Sequence, residues 1–250
     1  MKKIICLLRQ ILGIESLEKK LLHDIQRNYS IETEILSALK FNSTIIGSEW
    51  FVFQNISPGG SAIDYSFFYT LYRVLTAIKP NSILEFGLGQ SSKMVHQYAS
   101  FYSKEAVTVE HDPTWVNFFI QSKGGDYTVK TQLLELTEEL YKEKTVLTYK
   151  NCYQTFKNEK FDLIIVDGPF GFGEDTVYSR PQIIELSKHC LKENFIIIID
   201  DYDRQGEKNT VNEVLKNFKT AGIDVVTREY GSIKKHFLIT VPNNKFLTTL

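Results

Sequence analysis

Hydrophobic and polar residues recur with two different periods along this chain, and the change of period falls near residue 63. In the first 29 residues, apolar side chains repeat at helical spacing with charged residues between them, which predicts one or two amphipathic helices. A further helix is predicted over 31–39, followed by a loop rich in turn formers and aromatic residues. We therefore interpret residues 1–62 as a helical extension and residues 63–250 as one domain.

Within that domain, a helix predicted over 63–78 is followed by short apolar runs that alternate with helical stretches. Strands are predicted over 82–86, 106–110, one or two within 128–148, and over 162–166, 195–199, 224–228 and 236–241; helices are predicted over 91–102, 113–121, 178–191 and 210–220. Apolar strands separated by helices are typical of a mainly parallel sheet covered on both faces. The pattern predicts an α/β fold.

The composition excludes several kinds of protein. Lys and Arg total 29 against 30 Asp and Glu, a formal charge of −1, which is too small to bind nucleic acid by its field. The cysteines Cys6, Cys152 and Cys190 lack the spacing of a zinc site and are interpreted as small core residues. Neither a transmembrane helix nor a signal peptide is predicted, so we expect a cytoplasmic protein.

Acidic residues follow the predicted strands at their carboxyl ends, where an open parallel sheet binds ligands. After the first strand, Gly87 and Gly89 permit a tight turn and a close approach of backbone to ligand, and Ser91 opens the next helix. Glu85 precedes these glycines, where a carboxylate suits a ligand with a positive amine and repels pyrophosphate. Glu110 ends the second strand about 20 residues beyond Gly89, the spacing of an acid that holds ribose hydroxyls.

Two later strands, predicted to be neighbours, deliver three more carboxylates. Asp167 follows one of them on a Gly-Pro turn, and Asp200 and Asp201 follow the other. Carboxylates placed this closely either raise one another's pKa or share a divalent cation. The candidate general bases are Asp203, His111 and His189, and the sequence does not choose among them.

Together these residues resemble the class I S-adenosylmethionine-dependent methyltransferases over roughly residues 63–241. The resemblance rests on E-F-G-L-G at 85–89, on Glu110 and on V-D-G-P at 166–169. Asp167 with D-D-Y at 200–202 resembles metal-dependent O-methyltransferases that act on sugars, of the macrocin O-methyltransferase type. F-G-L-G-Q-S-S at 86–92, V-D-G-P-F-G at 166–171 and the D-x-D-R run that ends at Arg204 are similar to the glucuronoxylan 4-O-methyltransferase group, which also acts on a sugar hydroxyl. The chain departs from the macrocin type where Gly168 and Pro169 follow Asp167 in place of a D-x-D-like pattern.

The resemblance implies a Rossmann-like, seven-stranded sheet, S-adenosylmethionine as methyl donor and a hydroxyl of a sugar or polysaccharide precursor as acceptor. The cofactor-binding residues that it implies are Gly60, Ser61, Glu85, Phe86, Gly87, Gly89, Ser91, Glu110, His111 and Asp167. Asp167, Asp200 and Asp201 would bind Mg²⁺ or Mn²⁺, and the implied catalytic residues are Asp167, Asp201, Asp203 and His111.

Two other functions stay open. A nicotinamide-dependent (NAD) dehydrogenase could use the same glycine turn, although Glu85 and the adjacent Asp200 and Asp201 argue against it. A non-catalytic nucleoside-binding module could dock on a partner through its N-terminal helices. Packing of those helices on their own domain or in a homodimer is favoured over attachment to a membrane surface.

Several side chains near the predicted site have two interpretations each. Arg180 and Arg204 could bind a carboxylate or phosphate of the acceptor, or could pair with the neighbouring aspartates. Trp50, Phe51 and Phe53 could form a lid over the acceptor, or could pack the N-terminal helices onto the sheet.

Overall fold

The computed structural model of this chain describes residues 13–53, 56–59, 62–171 and 176–250. The predictions for residues 1–12, which include Cys6, and for Gly60 and Ser61 concern positions outside the described residues. The division at residue 62 into an extension and a domain stays a prediction.

A seven-stranded sheet forms the centre of the fold. In chain order the strands of the described residues are β1 (Ser82–Phe86), β2 (Glu105–Glu110), β3 (Thr131–Leu133), β4 (Leu136–Tyr141), β5 (Lys144–Tyr149), β6 (Phe161–Val166), β7 (Leu191–Ile199), β8 (Val226–Gly231) and β9 (Lys235–Thr240). The central sheet has the order β3-β2-β1-β6-β7-β9-β8, parallel from β3 to β7, with β9 antiparallel to both of its neighbours. The predicted fold class, a mainly parallel Rossmann-like sheet of seven strands, is confirmed.

Helices cover both faces of this sheet. They are α1 (Ile14–Ile45), α2 (Tyr65–Ile78), α3 (Gln90–Tyr102), α4 (Pro113–Ser122), α5 (Cys152–Phe156), α6 (Gln182–His189) and α7 (Gln205–Ala221), followed by a 3₁₀ helix (Pro242–Thr248). Side chains alternate along β1, so Ile83 joins one core with α2 and α3, whereas Leu84 joins a second core with α5, α6 and α7. The two cores cover the two faces of the sheet, and the acids that follow the strands lie outside both cores.

The structure corrects several predicted boundaries. α1 is one helix that continues to Ile45, because Phe41 anchors its last turns in the aromatic core. Leu191, predicted as helical, begins β7, because its backbone pairs with Phe161 of β6 and this pairing overrides local helix propensity. α7 begins at Gln205, five residues earlier than predicted, although Gly206 lies in its first turn.

The stretch from 128 to 148, predicted to hold one or two strands, holds parts of three. β3 alone joins the central sheet, while β4 and β5 form a separate antiparallel hairpin. The hairpin turns at Lys142 and Glu143. Their φ angles of 48° and 64° are positive, as in a two-residue type I′ turn, whose backbone twist matches that of the flanking strands. Neither residue is Gly, Asn or Asp, so no residue typical of a turn marks these two positions.

Cys152 and Cys190 are free and buried, which confirms their interpretation as core residues. Among the helices of the described residues, none combines the length and the apolar character that crossing a bilayer requires.

Candidate functional site

Two glycines hold the ends of β1 and β6 against each other. Gly87 has a φ of 93°, and a Cβ there would lie 2.6 Å from the carbonyl oxygen of Asp167. A Cβ on Gly168 would in turn lie 2.9 Å from the backbone nitrogen of Gly87. Gly89 differs, because its Cβ would meet no atom within 4 Å of the described residues. The turn is thus closed at Gly87 and open to a ligand at Gly89.

Glu85 lies fully buried beneath this turn, on the face of the sheet that α3 covers. Its Oε2 accepts a 2.7 Å hydrogen bond from the Thr108 hydroxyl, whereas its Oε1 has no hydrogen-bond partner in the described part of the chain. Burial raises the pKa of Glu85 from 4.5 to about 7, against the opposing effect of the hydroxyls of Ser91, Thr108 and Ser92. Near neutral pH, this carboxyl is therefore divided between its two protonation states.

Thr108 also connects Glu85 to a buried histidine that sequence reasoning missed. His96 Nε2 lies 2.9 Å from the Thr108 hydroxyl, and burial lowers the pKa of His96 to about 4. Because Thr108 donates to Glu85, the neutral His96 ring must donate through Nε2. The available signal was Thr108 itself, a polar residue in an apolar strand that stands directly opposite Glu85 in the sheet register.

Glu110 ties the end of β2 to the glycine turn. Its carboxylate accepts backbone N–H bonds from Leu88 at 3.1 Å, His111 at 2.7 Å and Asp112 at 3.1 Å. The Nδ1 of His111 lies 2.7 Å from Oε1 of Glu110. Trp115 fixes the same turn from α4, since its indole N–H donates to the Leu88 carbonyl at 2.6 Å. The predicted ribose acid is thus held in a defined position at the carboxyl edge of the sheet.

Asp167, Asp200 and Asp201 meet, as their positions on neighbouring strands predicted. One carboxylate oxygen from each lies within 4.8 Å of those of the other two. Asp200 is buried, and its Oδ2 has no hydrogen-bond partner among the described residues. Burial, and after it the charges of Asp167 and Asp201, raise the pKa of Asp200 well above its usual value. Burial also raises the pKa of Asp167.

Arg180 lies buried among these aspartates. Its guanidinium donates to Oδ2 of Asp201 (2.6 Å), Oδ1 of Asp167 (3.2 Å) and the carbonyl oxygens of Asp200 (3.0 Å), Val166 (3.3 Å) and Pro169 (3.3 Å). Arg204 Nη1 lies 2.9 Å from Oδ2 of Asp201. Of the two interpretations of these arginines, pairing with the aspartates is the one observed.

Glu207, which sequence reasoning missed, is a fourth acid in this cluster. It is fully buried near the start of α7, and its Oε1 lies 3.8 Å from both Arg180 Nε and Arg204 Nη1. Burial raises the pKa of Glu207, an effect that the two arginines oppose. A Cβ on Gly171 would clash with its Oε1, so the chain passes over Glu207 at a glycine.

The candidate bases are placed differently from one another. The His111 side chain is 26% exposed and packs edge-on against Phe170. Asp203 is exposed just beyond the aspartate cluster. His189 ends α6, where its ring lies 3.4 Å from Glu185, and the chain then enters the amino end of β7. Because the cluster lies at the opposite, carboxyl end of β7, His189 is removed from the candidates.

Three other predicted groups are also placed by the structure. Phe86 lies in the core, stacked on Tyr149 at 5.6 Å, so only its backbone reaches the site. The Ser91 side chain is buried, and α3 begins one residue earlier, at Gln90. Trp50 and Phe51 are buried, and Trp50 stacks on Tyr72 at 5.1 Å, which supports packing rather than a lid.

No family model matches this chain, and no curated protein matches its sequence. Its structure is similar to a methyltransferase from Pyrococcus furiosus (14% identity, 83% of this chain and 97% of that chain, TM-score 0.45) and to human methyltransferase-like protein 13 in complex with SAH (17%, 69% and 78%, 0.45). It is also similar to spermidine synthase from Thermotoga maritima (14%, 64% of this chain, TM-score 0.41), of which it spans 53% of the length. These similarities concern the fold alone, and the site is defined by this chain's own residues.

Proposed function

We propose that this protein is an S-adenosylmethionine-dependent O-methyltransferase that acts on a hydroxyl of a sugar or polysaccharide precursor with the help of a divalent cation. The observation that carries the proposal is the convergence of Glu85, Glu110 and Asp167 around one glycine turn. These acids come from the ends of β1, β2 and β6, which are adjacent in the sheet.

The acids support a positively charged nucleoside as the ligand. Glu110 lies where its carboxylate can accept hydrogen bonds from a ribose diol, which would replace the nearby Nδ1 of His111. Gly89 leaves open space beside it for the rest of the ligand. S-Adenosylmethionine, whose sulfonium and ammonium groups suit these carboxylates, supplies an electrophilic methyl group when it is bound.

The same acids argue against a dinucleotide. A pyrophosphate needs N–H donors and positive charge at the turn, whereas Glu85 here has an unpartnered oxygen in the described part of the chain and Asp167 packs its backbone on Gly87. We therefore expect NADH to bind weakly or not at all, which distinguishes this proposal from a dehydrogenase.

The aspartate cluster fits a hard divalent cation. It offers one carboxylate oxygen from each of three residues, all within 4.8 Å of one another, and Oδ2 of Asp200 has no hydrogen-bond partner among the described residues. Arg180 donates hydrogen bonds to Asp167 and Asp201 and also to three backbone carbonyls, so we expect it to stay in place when a cation binds. Mg²⁺ or Mn²⁺ held by Asp167, Asp200 and Asp201 would supply Lewis acidity that lowers the pKa of an acceptor hydroxyl.

The chain's own residues would then position the acceptor. Asp203 is exposed and His111 is partly exposed, so both remain candidates to remove the hydroxyl proton. Arg180 is fully occupied, whereas the side chain of Arg204 is 33% exposed at the rim of the cluster. Arg204 is therefore the residue that we expect to contact the carboxylate of an acidic sugar.

Calorimetric titration of the protein with S-adenosylmethionine and S-adenosylhomocysteine, with NADH as the control ligand, tests the proposed donor. Binding of both sulfur nucleosides is expected, weakened in Glu110→Ala and unchanged in Glu105→Ala, an exposed acid at the other end of the same strand. NADH binding in their place, or no binding of any of the three, would refute the proposed donor.

Turnover with a panel of neutral and uronic sugars tests the acceptor and the metal. We expect Asp200→Asn to lose the response to Mg²⁺ or Mn²⁺ while S-adenosylmethionine still binds. Arg204→Met should raise KM for a uronic sugar but not for a neutral one. A methyl donor that binds without any sugar being methylated would leave a nucleoside-binding module as the better interpretation.

A further inference from the structure

Half of α1 stands clear of the rest of the described protein. Residues 16–29 are exposed at every position, so this part of the helix packs on no other described element. An isolated helix of this length is marginal in water, because its stability normally comes from packing of an apolar face. Among the described residues, none covers the projecting half of α1, so we expect it to pack against another surface.

The face of α1 that packs on the domain is not its main apolar face. Phe41 and Ile45 contact the aromatic core, and Glu34 accepts a 2.9 Å hydrogen bond from the backbone N–H of Tyr65. Ile25 is sixteen residues before Phe41, which places it about 160° away around the helix at 3.6 residues per turn. The opposite side of α1 is thus both apolar and uncovered by the described chain.

That uncovered side carries a continuous stripe of large apolar residues. The stripe consists of Leu17, Leu21, Leu22, Ile25, Tyr29, Ile35, Leu36 and Leu39, each between 54% and 71% exposed. At roughly 100 Å² of apolar surface for each side chain, the stripe offers on the order of 800 Å², about what one partner buries in a standard protein interface. Monomeric proteins seldom expose a patch of that size.

Charge favours a protein over a lipid surface as the occupant. α1 carries four basic residues, Lys19, Lys20, Arg27 and Lys40, against five acidic ones, Glu15, Glu18, Asp24, Glu32 and Glu34. Helices that lie on anionic membranes are strongly basic, whereas α1 is slightly acidic and Glu32 lies between Tyr29 and Leu36 within the stripe.

We propose that the stripe of α1 pairs with the stripe of a second copy of this chain, forming a twofold homodimer. A twofold interface places one surface patch against itself, so each apolar contact occurs twice. The near balance of charge along α1 suits such self-pairing, because two copies of a helix with little net charge do not strongly repel each other. The pairing would bury the stripe of α1 against an identical apolar surface.

Sedimentation over a wide concentration range, together with far-UV circular dichroism, tests this pairing. The wild-type chain should have twice its monomer mass of 28.9 kDa. Leu21→Gln combined with Ile25→Gln should return it to the monomer mass with a loss of helical signal. Lys20→Gln combined with Arg27→Gln, on the other side of the same helix, should remain a dimer. All four residues are exposed, so none of these changes disturbs the core.

Three results would overturn the proposal. They are a wild-type monomer at every concentration, a dimer that survives the stripe variant, and stripe-dependent binding of a wild-type monomer to phosphatidylserine vesicles. The last of these would identify a lipid surface as the occupant.

Discussion

Replacing Glu85 by Gln should stabilise the protein at alkaline pH and weaken binding of the proposed methyl donor. Gln has nearly the shape of the buried acid and cannot ionise. Its carbonyl can accept from Thr108, while its amide can donate to the hydroxyls of Ser91 and Ser92, which lie close enough to influence the carboxyl. The substitution therefore removes the cost of a buried charge and keeps the packing.

The sign and size follow from the pKa of Glu85. Its pKa rises from 4.5 in the unfolded chain to about 7 in the folded one, so between these values the folded state binds more protons. The free energy of unfolding must then fall as pH rises through this window, by a total of about 3 kcal/mol. Below pH 4.5 this effect is absent, and above pH 7 it is complete.

Urea unfolding of wild type and Glu85→Gln at several pH values measures the difference. The two should be equally stable in mild acid, and the variant should gain up to about 3 kcal/mol by pH 8. His96 and His236, whose pKa values burial lowers to about 4 and about 3, destabilise the fold as pH falls below 6.5, but they do so equally in both proteins. Glu105→Gln, at an exposed site, is the control. A difference that does not change with pH would refute the reasoning.

The glycine turn allows two further predictions. Gly87→Ala should destabilise the fold by roughly 2 kcal/mol, because φ is positive and the new Cβ would press on the Asp167 carbonyl. Gly89→Ala should leave the unfolding midpoint nearly unchanged, because its Cβ enters open space. The same Cβ should weaken binding of the proposed nucleoside roughly tenfold or more. Equal destabilisation by both would contradict this contrast. Trp115→Phe should cost about 1 kcal/mol through the lost bond to Leu88, measured by the same unfolding assay, and a neutral result would show that water replaces the indole.

Much of the fold could be predicted from the sequence, because runs of apolar residues and the helical repeat of apolar positions are local signals. The runs before Asp167 and before Asp200 predicted neighbouring strands, and the structure pairs β6 with β7 in parallel. The β4–β5 hairpin could not be predicted from the sequence, because its turn residues Lys142 and Glu143 adopt positive φ values that these residue types rarely show. Tertiary contacts fix that turn, and a single sequence does not display them.

The site was predictable in its strand-end acids and, as one of two alternatives, in the pairing of Arg180 and Arg204 with the aspartates, but not in Glu207. Glu110, Asp167, Asp200 and Asp201 stand at strand ends, and strand order alone brings them to one edge. Glu207 comes from the next helix, and its burial beside two arginines depends on how α7 packs. A helix start rich in charged residues predicts a solvent-exposed turn, so nothing local distinguished this acid.

Arg180 has a consequence for how the activity of this fold could diverge. Its guanidinium donates to backbone carbonyls at the ends of β6 and β7 and also to the carboxylate of Asp201, so one residue both connects the two strand ends and orients an acid of the cluster. Lysine, with one point charge, could not satisfy five acceptors spread around a plane. Under the proposed function, the acceptor can therefore change through residues at the rim, such as Arg204, whereas a change at Arg180 would remove hydrogen bonds to the backbone at the ends of both strands. At this edge of the sheet, residues that also bind the backbone are hard to replace, whereas exposed residues at the rim can be replaced more easily.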